Sequence, residues 1–162
     1  MTKNLKSNLK GRIKKVKTNN FLVPLFEAIS NSIHSIEELT NNNGIIEIQI
    51  IRNPKQIEMG VESERAISGF KITDNGAGFS DENMASFEEV DSTYKEAKGG
   101  KGIGRISWLK FFEAADISST FKQSEKLLRR EFQFTSNGIE GEKIIPLKSD
   151  AAYETVVSLD PI

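Results

Sequence analysis

The chain has 162 residues, of which 37% are hydrophobic and 28% charged, enough apolar material for one packed domain and too much for wholesale disorder. It contains no cysteine and a single histidine, His34, which excludes a disulfide framework, a thiolate metal site, a cysteine nucleophile and a multi-histidine metal centre. The net charge of −1 conceals an asymmetry, because residues 1–20 carry seven Lys or Arg and no acid, while the remainder carries 15 bases and 23 acids. No apolar run reaches the roughly 18 residues a membrane helix needs, and the polar start lacks the core of a secretory signal, so a cytoplasmic location is the expectation.

Residues 1–20 read as a basic N-terminal arm. Leu5, Leu9, Ile13 and Val16 recur at spacings of four, four and three, which makes one apolar stripe on a helix. The arm suits nucleic acid or a membrane surface by charge, or it docks its stripe on the acidic body or a second subunit. No aromatic residue interleaves the lysines, so base stacking by the arm is not supported.

Pro24 suits the first turn of a helix that runs to about Leu39, with Leu25, Ala28, Ile29, Ile33 and Ile36 on its apolar face. Asn41 to Gly44 ends it, with Gly44 suited to a left-handed cap or turn. Ile45 to Arg52 and Ala66 to Thr73 read as strands, with a polar surface loop over 53–65. Asp74-Asn75-Gly76-Ala77-Gly78 is a glycine-rich turn, after which Ser80 caps a short helix over about 81–90. A polar stretch leads to Gly99-Gly100-Lys101-Gly102-Ile103-Gly104, and helix resumes over about 104–114. Strands follow over about 115–122, 127–136, 142–147 and 153–159, with Asn137-Gly138 as a hairpin turn. The fold class is α+β, a two-layer sandwich of helices on one face of a mixed, mostly antiparallel sheet.

Three separated segments hold polar residues suited to chemistry. Glu27 and Asn31 lie four apart and share one helix face beside the apolar stripe. Asp74 ends a strand and is followed by Gly76 and Gly78, whose bare backbone permits close approach of a ligand. Gly99 to Gly104 enters a helix, where free backbone N–H groups suit phosphate and Lys101 adds a cation. This last segment is not a P-loop, because Lys101 is followed by glycine, and it is not a dinucleotide fingerprint, because Ser107 stands where a third glycine belongs.

In this order the segments resemble the GHKL ATPase superfamily, which includes gyrase B, MutL, histidine kinases and the large heat-shock chaperone. Glu27-Ala28-Ile29-Ser30-Asn31-Ser32 is similar to its N box, Asp74 to Phe79 to its first glycine box, and Gly100 to Gly104 to its second. Glu154 to Leu159 is similar to the closing strand, although Glu154 replaces the usual glycine before Thr155. His34 stands where the family usually has Asp. The resemblance covers roughly residues 21–160 and implies a Bergerat-type ATP-binding domain over 21–162, read as a fragment of a longer protein.

The resemblance implies ATP and Mg²⁺ as ligands. Asp74 would accept a hydrogen bond from the adenine amino group, with Thr155 supporting it or reaching the base through water. Gly76 and Gly78 would let the backbone lie close to the nucleotide, and Phe79 would line the adenine pocket or belong to the core. Gly100, Gly102, Ile103 and Gly104 would offer N–H groups to the phosphates, and Lys101 would neutralise them. Asn31 would coordinate Mg²⁺, and Glu27 would deprotonate the attacking water. Residues 79–101 would form a lid whose closure drives switching of a dimer or partner, with hydrolysis weak in the isolated chain because a second domain supplies a further cation. The implied partners are a second copy through the arm and lid, and a nucleic acid or client protein through downstream domains, with no membrane. A non-hydrolytic ATP sensor and a histidine-kinase catalytic domain are the alternatives. The kinase needs a phosphoacceptor outside the N box, which His34 cannot supply.

Overall fold

The computed structural model describes residues 3–39, 43–53, 66–89 and 104–160, with the side chains of 3–8 excepted. Four helices occur among them: α1 (Lys3–Lys15), α2 (Val23–Glu37), α3 (Asp81–Glu88) and α4 (Ile106–Phe111). Six strands form one sheet: β1 (Ile46–Arg52), β2 (Ile67–Asp74), β3 (Ala114–Gln123), β4 (Lys126–Thr135), β5 (Gly138–Pro146) and β6 (Thr155–Leu159). Their order is β1-β2-β6-β3-β4-β5, and every pairing is antiparallel, so the expected mixed sheet contains no parallel pair among the described residues. No helix among the described residues is long and apolar enough to cross a membrane.

The central strands alternate over much of their length. In β2, Phe70, Ile72 and Asp74 are buried while Lys71 between them is exposed, and in β3 Ala115, Ile117, Ser119 and Phe121 point inward. Among the described residues, helices cover this inward face, while Lys71, Asp116 and Gln133 on the other are exposed. The registers stack the inward residues into rows across the sheet. Ile72, Val157, Ile117 and Phe132 form one apolar row, from the pairings Ile72↔Val157, Val157↔Ile117 and Ile117↔Phe132. The neighbouring row, nearer the end of β2, reads Asp74, Thr155, Ser119 and Arg130.

Helix α2 places Leu25, Ala28 and Ser32 against the core at helical spacing. It begins at Val23, so Pro24 occupies the second helical position, where its missing N–H costs nothing. Ile33, expected on the apolar face, is 44% exposed, and Ser32 takes the inward position. Helix α4 is shorter than expected. It buries Ile106, Trp108 and Leu109, and Phe112 then passes directly into the extended approach to β3. The Trp108 indole N–H donates to the Pro24 carbonyl at 3.1 Å, tying α4 to the first turn of α2. Gly44 does not adopt a left-handed conformation. It lies against Ile36, whose Cγ2 a Cβ would meet at 2.4 Å.

The basic arm forms α1 and packs on its own chain. Leu9 is buried, Ile13 and Val16 pack against the core, and the Lys110 ammonium on α4 donates to the Val16 carbonyl. Lys10, Lys14, Lys15 and Lys17 remain exposed. Leu9, Ile13 and Val16 thus serve cohesion of the chain, and these four lysines stay solvated; the side chain of Leu5 lies outside the described residues.

Candidate functional site

A cavity of about 220 Å³ lies between α2, α3, α4 and the polar row of the sheet. Its lining includes Glu27, Asn31 and His34 from α2, Asp74, Gly78 and Phe79 from β2 and its turn, Arg105 before α4, and Thr155 and Val157 from β6. Glu27, Asn31, Asp74, Gly78, Phe79 and Thr155, each singled out from sequence, are therefore brought to one cavity. Gly100, Lys101, Gly102 and Ile103 lie outside the described residues.

Asp74 sits at the floor, 4% exposed. Its Oδ2 accepts the Ser32 hydroxyl at 2.7 Å, and its Oδ1 accepts the Gly76 N–H at 2.9 Å. Burial raises its pKa above the ordinary carboxylate value, and these two hydrogen bonds oppose the rise without cancelling it. Each carboxylate oxygen keeps further acceptor capacity. Beside Asp74 in the ladder, the Thr155 and Ser119 hydroxyls share a hydrogen bond of 2.7 Å, and Ser119 Oγ also accepts the Phe79 N–H at 2.8 Å. Thr155 thus buttresses the row through Ser119.

The glycine turn is held against the end of α2. The Ala77 N–H donates to the Ser35 carbonyl at 2.9 Å, and the Gly78 N–H to Ser35 Oγ at 3.0 Å. Each glycine has its own physical reason. A Cβ on Gly76 would lie 2.5 Å from the Ser35 carbonyl carbon, so close helix approach demands glycine there. Gly78 has φ +76°, and a Cβ there would lie 2.2 Å from the Thr120 carbonyl oxygen. Phe79 lines the cavity and packs edge-on against Phe87 and Phe132 at centroid distances of 5.3 and 5.4 Å.

Gly104 has a role that no phosphate argument anticipates. An ideal Cβ on it would fall 1.8 Å from Glu27 Oε2 and 2.4 Å from Glu27 Cδ. The bare backbone of Gly104 is thus the bed on which the Glu27 carboxylate rests. Next to it, the half-buried Arg105 guanidinium lies 4.4 Å over the Phe87 ring and donates to the Ser86 carbonyl at 3.4 Å. Burial lowers the Arg105 pKa to about 10, opposed by the charge of Glu27, so the guanidinium stays protonated at neutral pH.

Helix α3, the described part of the expected lid, is anchored at its start. Ser80 caps it by accepting the Asn83 N–H at 3.2 Å. Arg130, 2% exposed, donates to the Ser80 carbonyl at 3.2 Å and to Asp81, with Glu142 Oε1 3.3 Å from its Nε. Asn83 Nδ2 bridges the Gly78 carbonyl at 2.8 Å and Glu38 at 3.0 Å.

Sequence reasoning missed Ser32, Ser119, Arg105 and Arg130. A signal for two of them exists: Ser119 and Arg130 occupy the inward phase of strands whose other inward residues are Ile117 and Phe121, and Phe132 and Phe134. Ser32 occupies the inward face of α2 between Ala28 and Ile36.

The arrangement offers a buried anionic acceptor flanked by Ala28, Phe79 and Val157, which suits a flat ring bearing an amine. Asn31, exposed at the rim, offers a single amide oxygen. Among the described residues no group of three His, Cys, Asp or Glu could hold a metal by itself. The Asn31 amide oxygen could serve as one ligand of a hard cation only if water and ligand oxygens supplied the rest of its shell. No protein-family model and no curated protein matches the chain.

Proposed function

We propose that this chain is an ATP-binding domain of the GHKL type that hydrolyses ATP with Mg²⁺. One observation carries the reading: α2, the end of β2 with its turn, and β6, far apart in sequence, converge on a single cavity, with Asp74 buried at its floor and Glu27 and Asn31 one helical turn apart on its wall. Asp74 accepts the adenine amino group, and the apolar walls sandwich the ring. Guanine presents a carbonyl oxygen at that position, which the carboxylate repels, so ATP is preferred over GTP.

Asn31 would hold Mg²⁺ through its amide oxygen; when bound, the ion neutralises charge on the phosphates. Glu27 accepts a proton from water as the water oxygen bonds to the terminal phosphorus. The bond from that phosphorus to the bridging oxygen breaks, and its electron pair leaves with ADP. Gly104 leaves the room that Glu27 occupies, because a side chain there would collide with the carboxylate.

Calorimetric titration with a non-hydrolysable ATP analogue and Mg²⁺, repeated with the guanine analogue, tests the site. Adenine-selective binding is expected, and absence of binding by the folded chain would refute the reading. Glu27→Ala is expected to retain binding and lose phosphate release. A variant that still released phosphate at the wild-type rate would remove Glu27 from the chemistry.

A further inference from the structure

We propose that Arg105 supplies, from within this domain, the cation that grips the terminal phosphate of the bound nucleotide. This deepens the ATP reading and rests on it. The resemblance looks to Lys101 and to a second domain for positive charge, and it assigns nothing to Arg105.

Arg105 follows Gly104 directly, so the backbone that beds Glu27 also launches the guanidinium into the same cavity. A guanidinium carries five N–H donors in a fixed fork. Among the described residues its polar contact is the Ser86 carbonyl at 3.4 Å, at the long end of hydrogen-bond range, with the Phe87 ring 4.4 Å beneath its plane. The ring fixes the fork without using its donors. Glu27 and Arg105 line the same cavity, and an anion with several oxygens, two of them able to bind the fork together, would complete the set there.

The electrostatics agree. Removing a guanidinium from water is unfavourable, and here burial depresses its pKa to about 10 while the nearby Glu27 offsets part of the loss. A phosphate entering between Arg105, Asn31 and Glu27 would add partners to a fork whose polar contact among the described residues is the long one to Ser86. The same approach draws the proton-accepting carboxylate and the phosphate-binding cation to one point, as an in-line attack on phosphorus requires. The competing account is a pillar that only stacks α3 onto α4 through Phe87. It predicts a uniform loss of stability, indifferent to the number of phosphates on the ligand.

The test is an affinity ladder. The chain with Mg²⁺ is titrated with the non-hydrolysable ATP analogue, ADP and AMP, in wild type, Arg105→Gln and Arg105→Lys, with thermal unfolding of each. The expected result is that Arg105→Gln weakens binding of the triphosphate tenfold or more, changes AMP binding less than about twofold, and flattens the ladder. Arg105→Lys should restore part of it, because the charge remains and the fork does not. A ladder unchanged in Arg105→Gln, or equal losses for AMP and triphosphate with a lowered Tm, overturns the proposal and leaves the ATP site standing. No binding of any adenine nucleotide by the wild-type chain overturns the ATP reading and this proposal together.

Discussion

Asp74→Asn separates the two things the Asp74 carboxylate does. In the fold it is a buried charge with two hydrogen bonds, and desolvation outweighs those bonds, so its pKa is raised from 3.8. A carboxylate whose pKa is raised on folding favours the protonated folded state. Its contribution to stability is fully present below the unfolded value near 3.8 and is lost as pH rises through the raised folded value. Above that window the buried carboxyl is therefore a standing cost. Asparagine has the same shape. Its Oδ1 can keep the Gly76 N–H, and its Nδ2 can donate to Ser32 Oγ, with the hydroxyl proton turning away. The variant should unfold at a Tm equal to or above wild type at pH 7, and the difference should shrink toward pH 4. Binding moves the other way. A hydrogen bond from the adenine amino group to a carboxylate is worth about 1.5–3 kcal/mol, which corresponds to roughly 10- to 150-fold in affinity for the ATP analogue. Thermal unfolding between pH 4 and 7 and calorimetry at pH 7 read the two effects separately. Affinity unchanged in Asp74→Asn would refute the assignment of the base contact. A variant clearly less stable at pH 7 would refute the argument that burial dominates the two hydrogen bonds.

Three further substitutions probe the frame around the site. Gly104→Ala directs a methyl group at the end of the Glu27 side chain, which is free to swing away; phosphate release should fall at least tenfold with little change in nucleotide affinity or Tm, as kinetics beside calorimetry would show. Gly78→Ala meets backbone at 2.2 Å and forces φ +76° on a side-chain-bearing residue, so it should destabilise by about 2 kcal/mol or more, a fall in Tm of roughly 4–8 °C. Leu9→Ala empties a core position and should cost about 2 kcal/mol in chemical denaturation. Because α1 packs on its own chain, that midpoint should not depend on protein concentration, and a dependence would mean the arm is exchanged between copies.

Much of this was readable from periodicity alone. Alternation placed β1, β2, β3, β4 and β6 to within a few residues, because each carries at least two apolar side chains at alternate positions, such as Ile46, Ile48 and Ile50 in β1 and Val157 and Leu159 in β6. It failed at β5, which begins at Gly138, whereas the expected strand starts at 142. The stretch Gly138-Ile139-Glu140-Gly141 has weak strand propensity, and Gly141 at φ +64° lies beside the register shift between Glu131 and Gln133. The hairpin turn also moved by one residue, with Gly138 pairing with Thr135 as the first residue of β5. The connection from β3 to β4 turns through Ser124 and Glu125, both at positive φ, without the glycine or asparagine that would have marked it. In the site, Glu27, Asn31 and Asp74 were legible through the order of their segments along the chain, which resembles that of a known family, since each alone reads as an ordinary helix face or turn. Ser32 and Arg105 were not, because their meaning depends on which partner the fold brings opposite them.

The position of the cavity follows from the sheet's rows. Ile72, Val157, Ile117 and Phe132 supply one row of side chains large enough to fill the space beneath the helices. In the next row Asp74, Thr155 and Ser119 are small and polar, and α2 meets them with Ala28, Ser32 and Ser35. Small residues on both layers leave volume, and polar ones on both layers satisfy one another through Ser32–Asp74 and Ser119–Thr155. The row closes at Arg130, whose long side chain turns from the cavity to the start of α3 and braces the helix that forms one of its walls. Filling that row with apolar residues would give a better-packed domain and abolish the cavity. The cohesion forgone here is what an apolar core would otherwise supply, and it is recovered in the Phe79, Phe87, Phe132 and Phe134 cluster immediately beside it.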